Sequence, residues 1–380
     1  MSKYQLVTLG KHIDILSGYA FPSSGFNQKN GVPLIRIRDI LSGRTETYYE
    51  GSYDLKYLIK KGDLLVGMDG DFNREYWKGT DALLNQRVCK ITPNPETLDK
   101  NFLYHFLQKE LDKIHATTNV VTVKHLSVKK IQDIKIRLPS LKEQKRIAAI
   151  LDKVDGIRQK REQAIKLADE LLRAKFLDMF GTPANNIHRF PKGTIRDLVD
   201  SVNYGTSAKA SIDSGKYPIL RMGNITYQGG WDFTDLKYLD LSVKEKDKFL
   251  VKEGDLLFNR TNSKELVGKT AVYEEDRPMA FAGYLIRVRP NSIGNNYYIA
   301  GYLNSTHGKI TLMNMCKSIV GMANINAQEL QNIEILIPPK HLQDEYEIIY
   351  KKIKKGLTIS NRSVMQLQQL ASNLSNRYFM

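Results

Sequence analysis

The 380-residue chain is predicted to be α+β: two similar mixed α/β domains separated by two long antiparallel coiled-coil helices, forming a pseudo-twofold tandem repeat. Three observations carry this. Residues 139–182 and 338–380 place apolar side chains at steps of three and four, the pattern of a helix that seeks a partner helix. The two stretches match at one offset of 199 residues, Pro139 with Pro338, Gln144 with Gln343 and Phe180 with Phe379. The segments before them, 1–138 and 183–337, carry the same short runs in the same order.

In the first segment, Thr8 to Ala20 reads as a helical turn entering a glycine-containing loop, and G-V-P-L-I-R-I-R-D-I (31–40) as a strand. Alternation along that strand would set Arg36 and Arg38 on one face and Ile35 and Ile37 on the other. K-K-G-D-L-L-V-G-M-D-G-D-F-N is a turn, a strand and a glycine-rich loop. L-L-N-Q-R-V-C-K-I (83–91) reads as one strand, and residues 101–111 as a packed helix. A basic turn from Thr122 and a last strand lead to Pro139. The second segment repeats P-L-I-R as P-I-L-R (218–221), G-D-L-L as 254–257 and I-Q-D-I as L-Q-N-I (330–333). Its offset from the first drifts from 185 to 199, so the second copy has longer loops. Frameworks match while loops differ, as two readers of different targets would.

The first long helix opens on Pro139-Ser140 and closes on Gly181, the usual punctuation. Its seam is Ile147, Ile150, Val154, Ile157, Ala164, Ala168 and Leu171, with Arg161 and Lys175 interrupting. At about 1.5 Å per residue it spans roughly 60 Å, too long for burial in one domain. Ten basic and seven acidic side chains nearly balance along it, which suits a protein partner better than DNA. The second helix keeps the step at Tyr346, Ile349, Ile353, Leu357, Val364, Leu367, Ala371, Leu374 and Tyr378.

A net charge of +16 and a pI near 9.5 call for a polyanionic partner, nucleic acid or acidic membrane. No apolar run approaches a membrane span and the start lacks a signal-peptide core, so the chain is expected to be cytoplasmic. Cys89 and Cys316 do not correspond in the repeat and are expected to be reduced, buried thiols. His105, His115 and His125 lack ligand spacing, so no metal site is expected.

This order of segments resembles the specificity subunit of type I restriction–modification systems. The resemblance covers the whole chain and rests on P-L-I-R-I-R-D-I, P-I-L-R-M-G-N-I, the two G-D-L-L turns, and the helix starts L-P-S-L-K-E-Q-K-R-I and I-P-P-K-H-L-Q-D-E-Y. It implies two target recognition domains, each reading half of a split double-stranded DNA sequence. It also implies paired helices that space the domains and bind two methyltransferase subunits. S-adenosylmethionine, ATP and Mg are then expected on those subunits and on the restriction subunits, an ATP-dependent translocase and nuclease, with no cofactor on this chain. The second helix start departs from the first, with His341-Leu342 for Lys142-Glu143.

No catalytic residue is expected, because the chain lacks a flipped-base clamp and a phosphate loop. Two alternatives stand beside this: a Mg-dependent nuclease using Asp39 with Asp54-Leu55-Lys56 and Asp213 with Asp235-Leu236-Lys237, or a non-specific DNA-binding scaffold. Candidate DNA contacts in the framework are Arg36, Arg38 and Arg221, since arginine pairs bidentately with guanine or clamps phosphate. Those in the divergent loops are Asp71, Asn73, Arg74, Gln86 and Arg87 against Asn259, Arg260, Thr261, Asn262, Ser263 and Lys264. Tyr19 beside Gly18, Tyr204 beside Gly205, and Lys129 with its basic neighbours Lys124 and Lys130 complete the set. Arg158, Lys160 and Lys166 on the first long helix are the candidate partner-docking residues.

Overall fold

A computed structural model of the chain describes residues 4–118, 124–319 and 322–379. The chain divides into two units, Met1–Arg161 with Ser363–Met380, and Glu162–Arg362. The two long helices are Leu141–Phe180 and Lys340–Phe379, and each gives part of its length to each unit.

The first unit joins Gln5–Thr8 to Lys135–Leu138 in a two-stranded ribbon, so its ends meet at the base of the central helix. A four-stranded antiparallel sheet follows, in the order Ile13–Ser17, Val88–Pro93, Leu64–Gly67, Arg74–Tyr76. A five-stranded mixed sheet includes the parallel pair Val32–Ile35 and Ala82–Leu84. The helix Lys100–Thr117 packs Phe102 and Phe106 into a core with Ile147, Ala148 and Leu151 of the central helix and Phe379 of the C-terminal one. The second unit repeats this with Lys192–Thr194 on Glu334–Leu336, and with the sheet Val199–Tyr204, Leu285–Pro290, Leu256–Asn259, Thr270–Val272. Its core joins Phe176 and Phe180 to Tyr298 and Tyr346.

The duplicated motifs have matching physical causes. Gly62 and Gly254 take φ of +90° and +86°, the left-handed region glycine enters without steric cost. The next residue then closes each turn: Asp63 and Asp255 accept the N–H of Lys60 and Lys252 at 2.9 Å. Gln144 and Gln343 are fully buried. Gln144 donates to the Thr97 and Pro139 carbonyls and accepts from the Asp99 N–H, while Gln343 donates to those of Ile293 and Pro338. Each glutamine therefore ties a long helix to its unit.

Several local expectations are corrected. Residues 31–40 are not one strand: it ends at Ile35. Asp39 accepts the Arg36 N–H at 2.9 Å and turns the chain into a 3₁₀ turn, Ile37–Asp39, so Arg36 and Arg38 do not alternate along a strand. Asn224 does the same to Arg221 at 2.8 Å. Residues 83–91 break at Asn85, whose carbonyl accepts from the Val88 N–H, and the two pieces belong to different sheets. After the turn at Leu9–Lys11, Ile13–Ser17 is a strand rather than a loop. Thr122 lies outside the described residues.

The central helix does not keep the expected seam. Ile147 and Val154 are buried, but Ile157 and Leu171 are 40% and 58% exposed. Burial passes instead to Leu151 and then to Leu172, Phe176 and Phe180. At 3.6 residues per turn a straight helix drifts off a strict heptad, so the buried face moves round the helix between one unit and the other. The C-terminal helix keeps its stripe, with every predicted seam residue from Tyr346 to Tyr378 buried or half-buried.

Candidate nucleic-acid interface

In the first unit three segments distant in sequence close on the far end of strand Leu64–Gly67. The Gly67 N–H donates to Asn73, the Met68 N–H to Arg87, the Gly70 N–H to Lys124 and the Leu126 N–H to Met68, all through backbone carbonyls. Asp71, Asn73, Gln86, Arg87 and Lys124 are thus brought to one rim. Tyr19 joins it through a bridge to Asn85 and is 49% exposed. Gly18 is required there, since a Cβ would sit 2.0 Å from the Asn85 carbonyl oxygen. Asp69 organises the rim's charge, pairing with Arg87 at 3.0 Å and His125 at 2.6 Å. Asp71, Gln86 and Arg87 are exposed. Arg74 is not presented the same way: its guanidinium lies 3.4 Å over the Tyr104 ring, which stacks on Tyr76.

The second unit builds the same closure from different side chains. The Asn259 N–H donates to the Lys269 carbonyl, the Arg260 N–H to Tyr284 and the Ile325 N–H to Arg260. Gly205 repeats the close approach of Gly18, with a Cβ falling 2.3 Å from the Ala282 oxygen. This makes Thr206 the counterpart of Tyr19, and Tyr204 is not its equivalent. The Tyr204 hydroxyl accepts from the Ala327 N–H at 2.9 Å, and its ring lies 5.0 Å from the Arg260 guanidinium. Arg260 also donates to the Asn324 side chain. The loop that is residues 68–72 in the first unit is 260–268 here. Its extra length adds a strand, Thr261–Asn262, paired with Met322–Asn324.

Within the loop, Lys264 is exposed, Asn262 and Ser263 are half-buried and Thr261 is buried. Asn259 is fully enclosed, so its amide is not placed to read a base. It stands where the first unit has Gly67, and Gly67 is backed by Ile37 and Ile40. Lys269 is buried and donates to the carbonyls of Met222 and Ile225, fastening the loop to the turn that follows Arg221. Desolvation lowers its pKa. Lys309 holds the Gly268 carbonyl, and burial, with Arg173 and Lys269 adding repulsion, pushes it down to about 8.

A groove of about 910 Å³ runs beside this loop, and its cations are Lys209, Arg221, Lys237, Arg260 and Lys269, with no carboxylate in the lining among the described residues. Arg221 is part framework, donating to both the carboxylate and the carbonyl of Asp235. Arg36 is exposed, and Arg38 is 65% exposed with Asp39 at 3.7 Å. Lys129 and Lys130 are exposed, and Lys130 donates to Thr118. On the central helix Arg158 pairs with Asp155 at 3.5 Å, Lys160 is exposed, and Lys166 is 79% exposed beside Glu170.

Three acids of the nuclease alternative, Asp39, Asp54 and Asp235, have structural partners. Asp54 caps the turn Leu55–Tyr57, and the Lys56 backbone and ammonium lower its pKa. Asp235 holds Arg221. Among the described residues no group of three or more His, Cys, Asp or Glu side chains could hold a metal ion. Both cysteines are free. Cys89 is buried, its thiol pushed up to about 12 by desolvation, whereas Cys316 is only half-buried. No helix among the described residues is long and apolar enough to cross a membrane.

Sequence reasoning missed Asp69, His125, Tyr284, Lys209 and Lys269. Only the pairing of distant segments brings His125, Tyr284 and Lys209 to the loops, although the drift in repeat offset did mark where the loop lengthens.

Fold and site together define a duplicated α/β recognition scaffold carried on two long helices. The model of the family described as type I restriction modification DNA specificity domain matches residues 1–167 and 190–369. The chain belongs to that family. It is similar to the type I restriction enzyme EcoBI specificity subunit of Escherichia coli, at 30% identity over 401 residues, covering 97% of this chain and 82% of that one. Similarity to the EcoKI specificity subunit of Escherichia coli K12 is 22% over 373 residues, covering 91% and 79%. The crystal structure of the type I restriction–modification S subunit from M. genitalium shares the fold, with a TM-score of 0.67, 14% identity, and coverage of 100% and 96%.

Proposed function

We propose that this chain is the non-catalytic, sequence-reading subunit of a type I restriction–modification complex, working in the cytoplasm. Each unit reads one half of a bipartite DNA target. The long helices space the halves and dock two methyltransferase subunits, through the exposed Lys160 and Lys166 and the half-buried Arg158. S-adenosylmethionine, ATP and Mg act on those subunits and on the restriction subunits. The observation that carries this reading is one loop closure built twice with three matching backbone hydrogen bonds and different side chains. A fixed scaffold presenting variable side chains is what direct readout of two unlike half-sites requires.

The acid-free lining of the second unit's groove fits the phosphate backbone. Neutralising Lys209 and Lys237 together is expected to weaken DNA binding by the assembled complex uniformly across sequences. It should also reduce the slope of log K against log salt by about 1.8, at about 0.9 per phosphate contact. An unchanged slope would remove these lysines from the DNA. Arg260→Ala is expected instead to relax one base of one half-site, at about 1–3 kcal/mol for a bidentate contact.

A further inference from the structure

The two units differ at the opposite end of the strand that carries the recognition loop. In the second unit, Arg289 clamps the turn carboxylate of Asp255, Nε to Oδ1 at 2.7 Å and Nη2 to Oδ2 at 3.0 Å. Asn296, the first residue of its helix, donates to the Gly254 and Val288 carbonyls at 2.7 and 2.9 Å. Strand register fixes the counterparts. Leu64 pairs with Ile91 as Leu256 pairs with Val288, so Thr92 stands where Arg289 stands. Asp99 caps its helix as Asn295 does, so Lys100 stands for Asn296.

Both groups that fill this place in the second unit are therefore replaced in the first. Thr92 is too short to reach Asp63, and the Lys100 ammonium turns to the Tyr76 ring, 5.3 Å from its centroid. A pocket of about 460 Å³ results, lined by Gly62, Asp63, Ile91 and Thr92, with Tyr76 and Asp99 among its other walls. The Lys60 N–H and the Lys90 ammonium both use Oδ2 of Asp63, at 2.9 and 3.0 Å. In the second unit Oδ1 is the oxygen that takes Arg289 Nε. The lysines at this pocket, Lys100 and Lys145, are exposed, while Asp63 and Asp99 are half-buried.

We infer that this pocket is a binding site for a guanidinium group, the one the second unit supplies from its own chain. A planar guanidinium brings five N–H donors in a rigid fork, enough for Asp63 and the neighbouring carbonyl edge together, and it stacks on an aromatic wall. An ammonium has the charge without the fork. The pocket lies away from the recognition loops, so guanidinium binding stands or falls separately from the DNA-reading role.

The test is titration of the full-length chain with N-acetylarginine methylamide, N-acetyllysine methylamide and free arginine, followed by NMR of labelled threonine methyl groups. The arginine amide is expected to shift Thr92 and to bind about tenfold tighter than the lysine amide. Thr92→Arg should abolish binding by filling the pocket from within, as Arg289 does. Lys100→Asn, which restores the second unit's amide, should weaken it severalfold and keeps the test sound if the first variant folds poorly. Free arginine binding as tightly as the amide assigns a small-molecule source, and weaker binding assigns an arginine presented by a protein; either keeps the guanidinium site. Equal affinity for arginine and lysine, or binding that survives both variants, overturns it.

Discussion

Phe176→Ala should destabilise the second unit by about 3–5 kcal/mol, the cost of emptying a large aromatic site in a packed core. Phe176 is 1% exposed; its ring centroid lies 5.6 Å from that of Tyr298, 5.3 Å from that of Tyr346 and 5.1 Å from that of Phe180. Those partners come from a helix of the unit, from the C-terminal helix and from the central helix itself, so one truncation loosens three elements. Leu171→Ala, five positions earlier, should change stability by no more than about 0.5 kcal/mol because that side chain is 58% exposed. Hydrogen exchange localises the effect. Amides of Leu285 to Arg289 should lose protection in Phe176→Ala while those of Leu64–Gly67 keep theirs. A simple heptad seam through Leu171 predicts the reverse order of the two variants.

Gln144→Leu should cost more than about 3 kcal/mol, from three backbone groups stripped of their partner at about 1–3 kcal/mol each. Those groups are the Thr97 and Pro139 carbonyls and the Asp99 N–H, and the glutamine is fully buried. The shape is nearly conserved, so the loss reports hydrogen bonding rather than volume. Gln144→Glu sharpens the point. A carboxylate there faces two carbonyl oxygens and is desolvated, which raises its pKa in the folded state. Its ionised form is therefore disfavoured by folding, and the variant's stability should fall as pH rises from about 5 to about 8. Denaturant midpoints across that range would show it, and a pH-independent variant would mean that the pocket opens to water.

The sequence made the large plan legible because the plan is periodic and doubled. Proline, glutamine and phenylalanine at one offset marked two helices, because the proline starts each helix, the glutamine ties it to a unit and the phenylalanine anchors it in a core. G-D-L-L was legible for the same reason, a glycine with positive φ followed by a carboxylate that closes its own turn. What stayed hidden depends on partners far away in the chain. The end of the strand at Ile35 is set by Asp39 reaching back to Arg36, a contact that alternating isoleucines mask. Asn259 reads as an exposed loop amide until strand pairing encloses it. Tyr19 and Tyr204 look equivalent because each adjoins a glycine, yet the glycines, not the tyrosines, superimpose in the repeat. The central helix misled most, since its buried positions shift from Ile147, Leu151 and Val154 in one unit to Leu172, Phe176 and Phe180 in the other, off the line of the expected seam.

The two loop closures should act as independent readers of two half-sites, and on this the proposed function rests. The most direct measurement exchanges residues 260–268 for a loop of different sequence in the complete complex and maps the methylated motif across a genome. The expected result is a changed or lost second half-site, with the first half-site and the gap between them as before. Methylation that persists with both halves altered, or with neither altered, would contradict it.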